Sequence, residues 1–109
     1  MTVRILGTKY TIKELNRNED PLLERMDGYC DKTTHTIVVL KSSENNELGD
    51  IEEYKNKVKR HEIIHAFLIE SGLQENFQHS EWGHDETTVD WFANQFPKMV
   101  EVFKKVGCL

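Results

Sequence analysis

Two of the five histidines in this 109-residue chain, His61 and His65, stand four apart in "KRHEIIHAFLIESG" (59–72), and Glu62 directly follows the first. Residues four apart on a helix lie one turn above each other, so both imidazoles project from one face and can grip a single cation. This HExxH spacing predicts one zinc ion per chain. It also casts Glu62 as the general base that takes a proton from water at the metal during hydrolysis of a peptide bond.

A hydrolytic zinc site has three protein ligands and keeps one position open, so a third ligand must come from elsewhere. The continuation found in metzincins would need glycine at 68 and histidine at 71; Leu68 and Ser71 exclude that class. Glu86 and Asp90 are four apart in "ETTVD", so one can ligate the metal while the other supports a ligand from the same face. His84 and His79 compete for the same role, because imidazole suits zinc as well as carboxylate does, and Asp85 lies close by. A histidine not used as a ligand can donate to the oxyanion of the tetrahedral intermediate. The plain reading of both is exposed loop residues. His35 has no partner visible in sequence and reads as a surface or cross-strand residue. Tyr29 and Tyr54 are further oxyanion candidates, with Tyr54 better placed for the core, and Phe77 and Trp82 can line a substrate pocket or anchor a loop.

The pairing of HEIIH with ExxxD resembles the gluzincins, the thermolysin-like metallopeptidases. Carried over, that resemblance makes Glu86 the third ligand and lets Asp90 orient His61. Read further, "ETTVDWFANQF" is similar to the "E-x-E-A-N-x-F-A" helix of the ImmA/IrrE-type metallopeptidases, small phage, mobile-element and bacterial regulators that cut repressor proteins. Glu86, Phe92 and Ala93 match, whereas Thr88, Val89 and Asp90 stand where the family has Glu, Ala and Asn, and Ile64 replaces a glycine often found before the second histidine. The resemblance covers about residues 50–97 and implies a zincin-like fold with a protein regulator as substrate.

These residues need elements to hold them. Asp50 with Glu53 three positions on forms a capping-box pattern, and Ile51, Tyr54, Val58, His61, His65 and Leu68 then share a stripe, which predicts a helix from about 50 to 71 stopped by Gly72. Upstream, "TVRILGTKYTIKEL" (2–15) alternates about Gly7-Thr8 as a hairpin would, and Asp20-Pro21 marks a short helix or turn. "DGYCDKTTHTIVVL" (27–40) reads as a second hairpin ending in the best-buried strand, and "HTIVVL" is a candidate edge against which an extended substrate could lie. "KSSENNELGD" (41–50) reads as a surface loop and residues 73–85 as a long irregular connection. A helix from about 86 to 96 carries Val89, Phe92, Ala93 and Phe96 on one face; Pro97 should kink or restart it, and a terminal helix with Phe103 in the core should run to Gly107. The expected fold is a single α+β domain over 1–109: an antiparallel sheet of three or four strands, an active-site helix and a C-terminal helical segment.

Composition sets the bounds. Hydrophobic residues at 38% and charged residues at 30% describe an ordinary globular chain, and the net charge of −5 argues against a binder of nucleic-acid phosphates. No stretch has the length of a membrane span and the N-terminus lacks a signal-peptide pattern, which predicts a cytoplasmic protein with Cys30 and Cys108 as reduced thiols. The expected partner is a protein or peptide substrate. A non-catalytic interaction module stapled by a structural zinc is the alternative, although such a site has no use for Glu62.

Overall fold

In β4 (Thr36–Leu40) all four residues after Thr36 are buried, which requires cover on both faces of the strand. The computed structural model, which describes residues 1–41, 49–73 and 84–109, shows how this is done. A four-stranded sheet is built from β1 (Thr2–Ile5), β2 (Thr8–Leu15), β3 (Gly28–Asp31) and β4, in the order β1-β2-β4-β3. Ile37 and Val39 point to one face, where they join Tyr10 and Ile12 of β2 under helix α1 (Ile51–Glu70). Val38 and Leu40 point to the other, where Leu23 covers them from a short 3-10 turn, Pro21–Glu24. Asp20 caps that turn by accepting from the Leu22 N–H.

Both expected hairpins form. β1 and β2 pair antiparallel about a two-residue turn in which Leu6 (φ 48) and Gly7 (φ 90) both lie in the left-handed region, and β3 pairs antiparallel with β4. The sheet is mixed rather than wholly antiparallel, because β2 and β4 run parallel, Ile12 beside Ile37 and Leu15 beside Leu40. The stretch between β2 and β3 crosses under the sheet and brings the second hairpin in with its second strand innermost. "HTIVVL" therefore lies in the interior of the sheet and cannot serve as an edge. Among the described residues, β3 is the edge strand that packs more closely on α1.

α1 begins at Asp50, whose carboxylate accepts from the Glu53 N–H, and ends at Ser71 before Gly72 (φ 83). Its buried stripe is Val58, Glu62 and Ala66, one position round from the predicted one, and His61 and His65 lie at the flank facing the second helix. α2 (Glu86–Val106) is a single helix with Pro97 inside it, so the helix does not restart there. Proline leaves the carbonyl four residues back without its helical donor. That carbonyl belongs to Ala93, and Arg60 Nε of α1 donates to it at 2.7 Å.

α2 packs on α1 through Val89 and Ala93. Phe92 and Phe96, expected in the core, are 37% and 47% exposed; the apolar face of α2 is wider than its contact, and both rings line an open groove with Leu6, Ile63 and Phe67. Phe103 is half-buried. His35 lies in the turn before β4 at φ 51, edge-on to Tyr10. None of the described helices is long and apolar enough to cross a membrane. Cys30 and Cys108 are both free thiols.

Candidate metal centre

The site forms where the flank of α1 meets the first turn of α2. Asp85 caps α2, accepting from both the backbone N–H and the hydroxyl of Thr88, and so fixes the direction in which Glu86 leaves the helix. The Glu86 carboxylate spans the two α1 histidines, Oε2 lying 2.7 Å from His61 Nε2 and Oε1 3.2 Å from His65 Nε2. Three donor atoms, one from each residue, lie within 4.8 Å of one another, so His61, His65 and Glu86 can hold a metal ion. The imidazoles are each 13% exposed and Glu86 is 75% exposed, so the group sits at a rim with the nitrogens inside and the carboxylate towards solvent.

The other imidazole nitrogens are also engaged. His61 Nδ1 lies 3.3 Å from Asp90 Oδ1, an oxygen that also accepts from Lys57 Nζ at 2.9 Å, while Asn94 donates to Asp90 Oδ2. The Lys57 hydrogen bond is the main reason the Asp90 carboxyl titrates below the usual carboxylate range; burial opposes it, and the charges of Lys57 and His61 add to it. His65 Nδ1 lies 3.0 Å from His84 Nδ1. Burial lowers the His65 pKa from the ordinary 6.5, with Glu86 opposing the shift. A neutral imidazole is the form that ligates a metal.

No protein-family model, curated protein or solved structure matches the chain.

Glu62 faces the sheet and is 7% exposed, the buried charged residue among those described. Burial raises its pKa from 4.5 to about 7; His61 opposes this and Glu86 adds to it. A carboxyl poised near neutrality can hold a proton and give it up. Glu62 also lines an open cleft of about 770 Å³, together with His65, His84, Glu86 and the edge strand β3. Cys30 lies on the wall of that cleft, where burial above all pushes its thiol up to about 12 and so favours the neutral form.

The residues named from sequence thus divide. His61, His65, Glu86 and Asp90 come together, and so does His84, but against His65 rather than among the three converging donor atoms. His79, Phe77 and Trp82 fall outside the described residues, as does most of the loop expected at 41–50. Tyr29 and Tyr54 are committed elsewhere, donating to Asp20 and Asp27. Sequence reasoning missed Lys57, one turn before His61 and carrying the charge opposite Asp90; its place at i−4 from His61 on the same face is the signal that could have found it.

Proposed function

We propose that the protein is a zinc metallopeptidase that hydrolyses a peptide bond in a protein substrate, with His61, His65 and Glu86 holding the metal. The observation that carries this reading is the burial of Glu62 beside the three converging donor atoms, on the wall of an open cleft. Two imidazole nitrogens and one carboxylate oxygen make a donor set that suits zinc and leaves a coordination position free. Zinc bound there would supply Lewis-acid polarisation of the scissile carbonyl and of water.

The chain's own residues do the rest. Glu62 takes a proton from the attacking water on its carboxylate and delivers it to the leaving amine, two transfers that favour a pKa near the working pH. Asp90 accepts from His61 Nδ1–H and so keeps the lone pair of Nε2 directed at the donor group. β3, an edge strand of the sheet among the described residues, lines the cleft and offers backbone groups to a substrate in extended form, which β4 in the sheet interior cannot do. By the resemblance stated above, that substrate is a regulatory protein. A structural staple would need the histidines but would leave Glu62 buried at a cost and without a task.

The test is zinc content by native mass spectrometry, followed by incubation of the loaded protein with a peptide library and readout of new termini. One zinc per chain and cleavage by wild type but not by Glu62→Gln are expected. Failure to take up zinc when it is supplied would overturn the reading.

A further inference from the structure

We infer that His84 is a positioning residue: its Nδ1 accepts a hydrogen bond from His65 Nδ1 and fixes the tautomer in which His65 Nε2 can bind metal. This rests on the metallopeptidase reading for the metal's place, and on the geometry of the two rings for the rest. Their Nδ1 atoms are 3.0 Å apart, their planes lie within 4° and their centroids are 5.2 Å apart. That centroid separation is close to the largest a 3.0 Å nitrogen contact allows, so the rings meet edge to edge, with each Nδ1 pointing at the other. Face-to-face stacking would bring the centroids much closer.

The direction of the bond follows from proton counting. A neutral imidazole carries one N–H, and two nitrogens in such contact share a single proton. His65 turns Nε2 towards Glu86 and His61, so with a cation held there by that nitrogen its proton must sit on Nδ1. His84 Nδ1 is then the acceptor, and its own proton moves to Nε2, a buried atom with no hydrogen-bond partner among the described residues. In the reverse arrangement His84 donates, His65 carries its proton on Nε2, and that nitrogen has no lone pair to offer. The two ligand histidines are thus supported alike from one short stretch: Asp90 holds His61, His84 holds His65, and Glu86 between them in sequence supplies the third donor.

The experiment uses full-length protein with zinc alone as probe, in competition against a chromophoric chelator. His84→Leu, which lacks the acceptor, is expected to bind one zinc per chain about 10- to 100-fold more weakly than wild type. His84→Asn places an amide oxygen near the lost Nδ1 and should recover most of that loss. In ¹⁵N-histidine-labelled, zinc-loaded wild type, a scalar coupling across the hydrogen bond should connect His65 Nδ1 and His84 Nδ1. Unchanged affinity in the Leu variant, loss of zinc stoichiometry in both variants as for a direct ligand, or absence of the coupling would each overturn the assignment. Wild type that binds no zinc would instead defeat the metallopeptidase reading beneath it.

Discussion

Replacing Glu62 with glutamine should stabilise the metal-free protein, and by an amount that depends on pH. The unfolded chain releases the Glu62 proton near pH 4.5, whereas the folded chain, whose interior penalises the charge, keeps it until about 7. Folding therefore takes up a proton between these values. The stability that Glu62 allows is whole below pH 4.5, is lost as pH rises towards 7, and stays low above. At about 1.4 kcal/mol per pH unit, the gap amounts to about 3 kcal/mol. Glutamine fills the same space and does not titrate, so the pH-dependent part vanishes in the variant. Urea unfolding of chelator-treated protein at pH 5 and pH 8 should show the stability difference between variant and wild type growing by about 2 to 3 kcal/mol, other titrating groups cancelling between the two. Saturating zinc should shrink that growth, because a cation on His61, His65 and Glu86 favours the charged carboxylate beside it. The same difference at both pH values would show that Glu62 is solvated in the folded state, and would remove the basis for its role as a tuned base.

Three further substitutions test the framework around the site. At Gly28 an added Cβ would meet Val58 Cγ1 at 2.8 Å and the Val38 carbonyl oxygen at 3.0 Å, so Gly28→Ala should push β3 from α1 and cost about 1–3 kcal/mol in chemical denaturation, less the few tenths gained from a stiffer unfolded chain. Arg60→Met strips the donor from the Ala93 carbonyl and should cost about 1–3 kcal/mol, but clearly less in a Pro97→Ala background, where the helix supplies its own N–H; a double-mutant cycle with no coupling would refute the compensation. Leu6 adopts φ 48 in a turn that favours Asn-Gly, so Leu6→Asn should raise the melting temperature by the equivalent of about 0.5–1 kcal/mol, and a drop would show that its contact with the apolar groove outweighs the strain.

What the sequence discloses here is what depends on local chemistry. The α1 boundaries follow from Asp50 with Glu53 and from Gly72, because caps and left-handed stops act within a few residues of themselves, and β4 announces itself because a strand covered on both faces has no polar positions to alternate. The features that escaped all turn on partners distant in the chain. Helical period alone puts Val58, His61 and His65 on one stripe; it took two neighbours, the sheet and α2, to divide them, so that Val58 and Glu62 went to the first and the histidines to the second. The parallel β2–β4 pairing depends on a hairpin entering with its second strand inward, which alternation along either strand does not encode. Pro97 disfavours a continuing helix by its own chemistry, and the donor that meets the freed Ala93 carbonyl is a guanidinium on another helix, 33 residues before Ala93 in sequence. The site has the same dependence: HExxH gives two histidines and a glutamate, but the burial that raises the Glu62 pKa and the ring that meets His65 come from β3, β4 and the residues before α2. A motif match with Glu62 on a solvated face and no ring against His65 would have the same letters and neither the raised pKa nor the Nδ1–Nδ1 contact, which is why the measurements on Glu62 and His84 discriminate where the motif does not.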